Sequence, residues 1–271
     1  MYSAEQIQEL KDFAKEIRVQ TIDQLAARGF GHLGGAMSIV EILAVLYGEE
    51  MKYDPQNPKW ESRDWLVCSK GHAGPAVYST LALKGFFPMD WLKTLNQHHT
   101  NLPSHCDRTK TPGIDITTGS LGQGLSVAVG VAYGHYLHEA ENRVYCIVGD
   151  GEMQEGQIWE AVLLAAHRNL GNLTLFVDSN KMQLDGNVED MNNLEDYVAK
   201  FEAFNWNAIR VDGHDVAALG NAIAQAKASE DKPTAIICDT VKGKGVCWAE
   251  GQFCHHVDVS REMADKALAA L

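Results

Sequence analysis

The chain reads as an α/β protein with a doubly wound, mostly parallel sheet and helices on both faces. Three observations predict this class. Short apolar runs recur at residues 65–68, 144–148, 173–177, 208–211 and 235–239. Most are continuously apolar rather than alternating, as in strands buried on both faces. Segments with helical periodicity separate them, and strand–helix alternation on this scale builds a parallel sheet. No repeat, low-complexity stretch or linker divides the chain, so residues 1–271 are expected to form a single domain.

The elements can be justified in order. Residues 3–27 place Ile7, Leu10, Phe13, Ala14 and Ile17 at helical spacing, which predicts an amphipathic helix. Ser38 followed by Glu41 has the pattern of a capping box, opening a helix through Leu46. The strand at 65–68 leads into Ser69-Lys70-Gly71-His72, with a helix at 75–83. Residues 92–113 carry little periodicity and several His, Pro, Asn and Asp residues, and loops of that length are usually functional. Residues 121–133 read as a very apolar helix rich in Gly and Ala, suited to close packing in the core or across an interface. Helices at 156–168, 215–228 and 261–271 complete the alternation.

Composition narrows the function classes. At 271 residues and 45% hydrophobic content the chain can bury a full core. A formal net charge of −13 argues against nucleic acid and anionic membranes as partners. No apolar run is long enough to span a bilayer, and Met1-Tyr2-Ser3-Ala4 lacks a signal-peptide layout, so a cytoplasmic location is expected. Six dispersed cysteines without a CxxC pair are expected to be reduced thiols, with Cys146 and Cys238 as core residues. The group Cys247, Cys254, His255 and His256 fits no common structural zinc spacing.

The most informative motif is Gly149-Asp150-Gly151-Glu152, followed one crossover later by Asp178-Ser179-Asn180. Asp150 and Asn180 fall at the carboxyl ends of two neighbouring strands, where open α/β sheets bind ligands. A carboxylate and an amide oxygen there suit a hard octahedral cation such as Mg2+, which completes its shell with phosphate and water. Gly151 lets the backbone approach a phosphate closely. Loops at 31–35, 70–73 and 117–124 belong to the same rim and place His32 and His72 beside glycines. His105 lies near Pro103 in the long loop. Histidine there can supply a proton or a hydrogen bond near neutral pH.

These residues resemble the transketolase family. The GDG-to-Asn spacing is similar to the thiamine-diphosphate motif. The wording GDGEMQEGQIWEA, then DSNKMQLDG, looks like transketolase in particular. The resemblance runs from about Ile17 to His255 with the motifs in family order. It implies the thiamine-diphosphate-binding fold of the PP type, with thiamine diphosphate and Mg2+ as cofactors and Ca2+ or Mn2+ able to replace the magnesium. By the same resemblance, Asp150 and Asn180 hold the metal through side chains and Met182 through its carbonyl. His72, Gly151 and Lys242 contact the cofactor. Gly119 and Leu121 bracket it, with Ser120 between them, and Asn180, Glu155 and His255 are counted with the cofactor set. His32 contacts the sugar near the thiazolium, His105 bonds the donor's hydroxyl oxygens, and His255 lies near diphosphate and substrate. Glu155 reaches across an interface to the partner's catalytic glutamate. The expected catalytic set is therefore His32, His72, His105, Glu155 and His255.

The implied reaction moves a two-carbon ketol unit from a ketose, expected to be phosphorylated, to an aldose. A full transketolase is more than twice this length, and its second portion carries the pyrimidine-binding domain. The resemblance thus implies the N-terminal subunit of a split transketolase, paired with a separate pyrimidine-domain subunit in a two-plus-two heterotetramer. Other thiamine-diphosphate enzymes, such as deoxyxylulose-phosphate synthase or a 2-oxoacid dehydrogenase α subunit, are alternatives. Glu155 and the Thr117–Gly124 wording TTGSLGQG speak against them. A non-catalytic thiamine-diphosphate-binding protein and an unrelated nucleotide-binding protein are two more. Three departures stand out: Cys106 after His105 where the family has proline, a histidine-rich segment at 96–101, and His256 where glycine is common. All three are expected on the substrate side, which puts the standard pentose-phosphate substrates in doubt; neutral drift in a loop is the other reading.

Overall fold

In the computed structural model, which describes residues 1–271, the five apolar runs pair into one parallel sheet. A separate antiparallel ribbon joins β1 (Phe30–Gly31) to β7 (Val257–Asp258). The sheet comprises β2 (Trp65–Cys68), β3 (Val144–Gly149), β4 (Leu173–Ser179), β5 (Asn207–Asp212) and β6 (Thr234–Asp239), in spatial order β2-β3-β4-β6-β5. The chain leaving β4 passes its neighbour β6 to reach edge strand β5, then returns. The carboxyl-end loops of β2, β3, β4 and β6 consequently share one rim, where such sheets bind ligands.

Alternating side chains feed two cores. Tyr145 and Ile147 enter one, while Val144, Cys146 and Val148 enter the other. Helices α1 (Ala4–Arg28), α2 (Gly34–Met37), α3 (Val40–Val45) and α4 (Gly74–Leu83) pack on the first face. The opposite face carries α5 (Gln123–Leu137) and α6 (Gly156–His167). After the short α7 (Val188–Asn192), α8 (Tyr197–Ala203) adds to that second core. α9 (Val216–Lys227) and α10 (Arg261–Leu268) return to the first. Helices on both faces of a parallel sheet make the expected doubly wound α/β architecture.

Helix α1 begins with a reciprocal capping box between Ser3 and Gln6 and stops at Gly29, whose φ of 93° suits only a residue without Cβ. The Ser38–Glu41 capping box is not formed. Ser38 ends α2 and donates its hydroxyl to Asp178 at 2.7 Å, while Glu41 pairs with Arg18 and His214. Buried partners from distant segments have taken both side chains. Helix α5 starts at Gln123, two residues after its expected start, and runs on to Leu137. A 3-10 turn at Met89–Thr94 enters the long loop, and no helix or strand intervenes before α5. The ribbon, α7 and α8 are too short for periodicity to reveal.

Candidate active site

Strands β3 and β4 run side by side with Gly149 opposite Asp178, so the residues just beyond them converge. The Asp150 carboxylate is 2% exposed and accepts from the backbone N–H of Gly151 at 2.8 Å and Lys181 at 2.5 Å. Burial, and then the neighbouring Asp178, push its carboxyl up to about 7. A buried carboxylate held only by backbone donors is a position that a metal cation stabilises. Asn180 donates to Asp178 at 2.9 Å and accepts from Met182 N–H at 3.1 Å. The carbonyls of Met182 and Gln183 accept from Lys242 Nζ at 3.1 and 3.2 Å, so they already face a cation. The buried Gln183 Oε1 has no partner. A Cβ on Gly151 would lie 2.9 Å from that of Gln183, so only glycine lets these two segments pack this closely.

Beneath this corner Lys70 and Asp178 form a buried ion pair. Asp178 also accepts from Ser38, Thr240 and Asn180, and Lys70 first among them holds its carboxyl below the usual range against the cost of burial. Glu152 is equally buried. It accepts from Gly122 N–H at 2.9 Å and Gly149 N–H at 3.0 Å, and from the Ser69 hydroxyl. It thereby ties the 117–124 loop to the end of β3.

At the other end of the groove four imidazoles meet. The His32 ring centroid lies 5.6 Å from His72, 5.2 Å from His105 and 5.3 Å from His255, with 4.7 Å between His72 and His255. Backbone contacts assemble them: Gly34 N–H donates to the Cys254 carbonyl at 2.8 Å, and Gly243 N–H to the Gly34 carbonyl at 3.1 Å. A side chain at Gly34 would collide with that Cys254 carbonyl. Gly119, at φ 141°, leaves its missing Cβ 3.0 Å from the His105 ring. Burial, with the other imidazoles adding to it, lowers His32 to about 3. Burial and then Lys242 lower His255 to about 4. Burial lowers His72 and His105 as well. All four are therefore neutral near pH 7, able to donate and accept hydrogen bonds.

The groove between these ends has a volume of about 360 Å³, within the range of small-molecule sites. His32, His72, His105, Gly119, Leu121, Asp150, Gly151, Glu155, Asn180, Met182, Lys242 and His255 all line it. Ser120 does not; it is exposed outside the groove. Glu155 is exposed at the outer edge, where it packs against Gly122. A larger open cleft of about 1180 Å³ lies at the amino-terminal edge of the sheet, around Arg63, Arg108 and His135. It contains none of the motif residues, so volume alone does not mark the site.

The family described as "Transketolase, thiamine diphosphate binding domain" matches residues 10–264. The chain belongs to the transketolase family. It is 48% identical to the 6-deoxy-6-sulfo-D-fructose transketolase subunit SqwG of Clostridium sp. (strain MSTE9), over 99% of this chain and 98% of that one. It is 39% identical to human transketolase over 97% of this chain, spanning only 42% of that enzyme. Among solved structures, transketolase from Campylobacter jejuni superposes with a TM-score of 0.90 at 33% identity, covering 99% of this chain and 43% of that one. A transketolase variant from Pichia stipitis in complex with fructose 6-phosphate gives 0.90 at 32% identity, covering 96% and 40%.

Against this transketolase frame, one expected substrate-side departure is corrected. Cys106 is 2% exposed and packs in the first core, where burial pushes its thiol up to about 12. His98 and His99 are exposed and do not line the groove. Sequence reasoning assigned no role to Lys70, Asp178, Glu152 or Gln183. Lys70 and Asp178 stand two positions before His72 and Asn180, but nothing in the sequence pairs two residues 108 positions apart.

Proposed function

We propose that this chain is the diphosphate-binding subunit of a two-chain transketolase. It moves a two-carbon ketol unit from a ketose to an aldose, with thiamine diphosphate and a divalent cation such as Mg2+. The observation that carries this reading is the single groove that joins the Asp150–Asn180 corner to the four imidazoles. A buried carboxylate, an amide oxygen and a backbone carbonyl suit a hard octahedral cation. The unpartnered Gln183 Oε1, a buried acceptor at that corner, fits a cation or a hydrogen-bond donor held beside it. Thiamine diphosphate, when bound, supplies the carbanion that attacks the ketose carbonyl.

This chain's residues hold and handle protons around that chemistry. Asp150, Asn180 and the Met182 carbonyl hold the cation, and Lys242, His72 and Gly151 hold the diphosphate. Gly119 and Leu121 bracket the cofactor's rings. His32, His105 and His255 hydrogen-bond the sugar and exchange its hydroxyl protons while stabilising developing negative charge on oxygen. Glu155 projects from the open edge towards a second subunit.

A separate partner is supported by the SqwG relative, which is called a subunit and which this chain spans almost fully, whereas it covers 42% of human transketolase. The partner supplies the pyrimidine-binding domain, in a two-plus-two assembly, while residues 1–271 act as one domain. Its seat is the outer face of α5 and α6, where Val127 and Gly130 of α5 and Leu163 and Leu164 of α6 are exposed. No helix is long and apolar enough to cross a membrane; a cytoplasmic location belongs to this reading. The relative's name makes 6-deoxy-6-sulfo-D-fructose the first donor to test, beside phosphorylated ketoses. The test is to isolate the chain from its native cells with its bound partner and assay ketol transfer. Thiamine diphosphate- and Mg2+-dependent formation of an aldose two carbons shorter than the donor is expected. Release of carbon dioxide without ketol transfer would favour another thiamine-diphosphate enzyme, and no transfer to any sugar a non-catalytic role.

A further inference from the structure

Lys242 reaches the groove from the loop that follows β6, and its Nζ is held only by the Met182 and Gln183 carbonyls. No carboxylate pairs with it, so the backbone beneath it must keep the ammonium in place. Two side chains from remote parts of the fold grip that backbone on either side of the lysine. The Val241 N–H donates to His214 Nε2 at 2.9 Å, and Arg18 donates from Nε to the Lys244 carbonyl at 3.2 Å. Both grips meet on one residue. Glu41 accepts from Arg18 at 2.5 Å through one carboxylate oxygen and from His214 Nδ1 at 2.9 Å through the other.

Arg18 lies on α1, Glu41 on α3 and His214 in the turn between β5 and α9. A backbone N–H can only donate, so His214 Nε2 accepts, and Nδ1 carries the hydrogen given to Glu41. The Arg18 guanidinium holds only donors, and its fork reaches a carboxylate and a carbonyl at once. The Arg18, Glu41 and His214 side chains are 9%, 9% and 12% exposed, so water does little to weaken these contacts. A Cβ on Gly245 would lie 2.8 Å from Arg18 Cδ, so glycine there admits the arginine. None of the three charged or polar side chains lines the groove itself.

We propose that Glu41, Arg18 and His214 are positioning residues for Lys242, a clamp that closes on residues 241–244 from both sides and aims the ammonium at the diphosphate. The proposal rests on the transketolase reading, in which Lys242 contacts the diphosphate, and adds how a lysine without a carboxylate partner is kept there. The Gly243 N–H also bonds the Gly34 carbonyl at 3.1 Å. That backbone tie keeps the loop attached when one arm of the clamp is cut, so the loss falls on where Lys242 points.

The test is calorimetric titration of the partner-bound assembly with thiamine diphosphate at fixed Mg2+, for the parent, His214→Asn and His214→Gln. The asparagine amide replaces Nδ1 beside Glu41 but is too short to reach Val241, whereas glutamine carries an acceptor oxygen out to the place of Nε2. His214→Asn is expected to raise the dissociation constant about tenfold, as losing an outer partner of a ligand-holding group does, and His214→Gln to recover part of that loss. Repeating the substitution in a Lys242→Ala background shows whether the effect passes through the lysine. There His214→Asn is expected to change affinity by less than about twofold. A loss of the same size without Lys242 overturns the clamp, as does unchanged affinity in His214→Asn when Lys242 is present. If His214→Asn fails to assemble, Arg18→Lys is read by the same cycle, since it keeps a charge for Glu41 and gives up the forked contact with Lys244. A parent assembly that binds no thiamine diphosphate instead overturns the transketolase reading on which the clamp depends.

Discussion

Lys70 and Asp178 form an ion pair wholly buried beneath the groove, with side chains 1% and 0% exposed, and the same Asp178 carboxylate holds Asn180 in place. Asp178 is thus a positioning residue for Asn180, the proposed cation ligand. Asp178→Asn leaves the Lys70 ammonium buried without its ion-pair partner, which costs about 3–5 kcal/mol of stability. It also frees Asn180 to turn, which lowers cation affinity about 10–100-fold. Urea unfolding reads the first effect and calorimetric titration with Mg2+ and thiamine diphosphate the second.

Gly119 combines a φ of 141° with a His105 contact at 3.0 Å. Gly119→Ala therefore strains the loop by about 1–3 kcal/mol and pushes His105 away. The midpoint of thermal unfolding falls, and KM for the donor rises. An alanine variant with unchanged donor kinetics would show that His105 is not held by this contact.

The neutral imidazoles make the cofactor-free chain sensitive to acid. His32 and His255 titrate at about 3 and about 4 when folded, below the ordinary histidine value near 6.5 when unfolded. The unfolded chain therefore binds more protons at these two imidazoles as pH falls, and their contribution to stability drops from about pH 6.5 downward, through about pH 4. Their contribution is flat above pH 7. Asp150, its carboxyl raised to about 7, works in the opposite sense as pH falls over the same range. Urea midpoints of parent and His32→Asn compared from pH 7.5 to 4.5 isolate the His32 part: the parent loses stability relative to the variant as pH falls.

Helix α5 offers a test that separates folding from assembly. Gly130 is exposed, and an added Cβ there meets nothing within 4 Å. Gly130→Leu thus improves helix propensity by up to about 1 kcal/mol and leaves the isolated chain as stable or more so. The same leucine obstructs close approach of the partner, so size-exclusion with light scattering shows loss of the assembly. An intact assembly would move the docking face elsewhere.

Much of this arrangement was legible in the sequence because its causes are local. Strands β3, β4 and β6 are buried on both faces, so their apolar runs needed no partner to be read. Asp150 and Asn180 lie at fixed offsets beyond such strands, and the crossover between them fixes their proximity. What could not be read depends on distant partners. Ser38 and Glu41 have the spacing of a capping box, yet Asp178, 140 residues away, takes the serine hydroxyl. Cys106 adjoins a groove histidine, yet its thiol turns into the core, because successive residues of an extended loop face opposite ways. The β1–β7 ribbon is two residues long on each side, so the sequence showed His256 only as a departure, without its neighbour His32.

In the proposed reaction, ketol transfer depends on the metal and diphosphate held at the Asp150–Asn180 corner. The most direct measurement of this is cation-dependent thiamine diphosphate binding by the partner-bound assembly, parent against Asp150→Ala, followed by calorimetry. The substitution is expected to lower affinity by more than about a hundredfold and to abolish the Mg2+ dependence, beyond the loss from disturbing a supporting residue. Equal, Mg2+-dependent affinity in the two assemblies would contradict it.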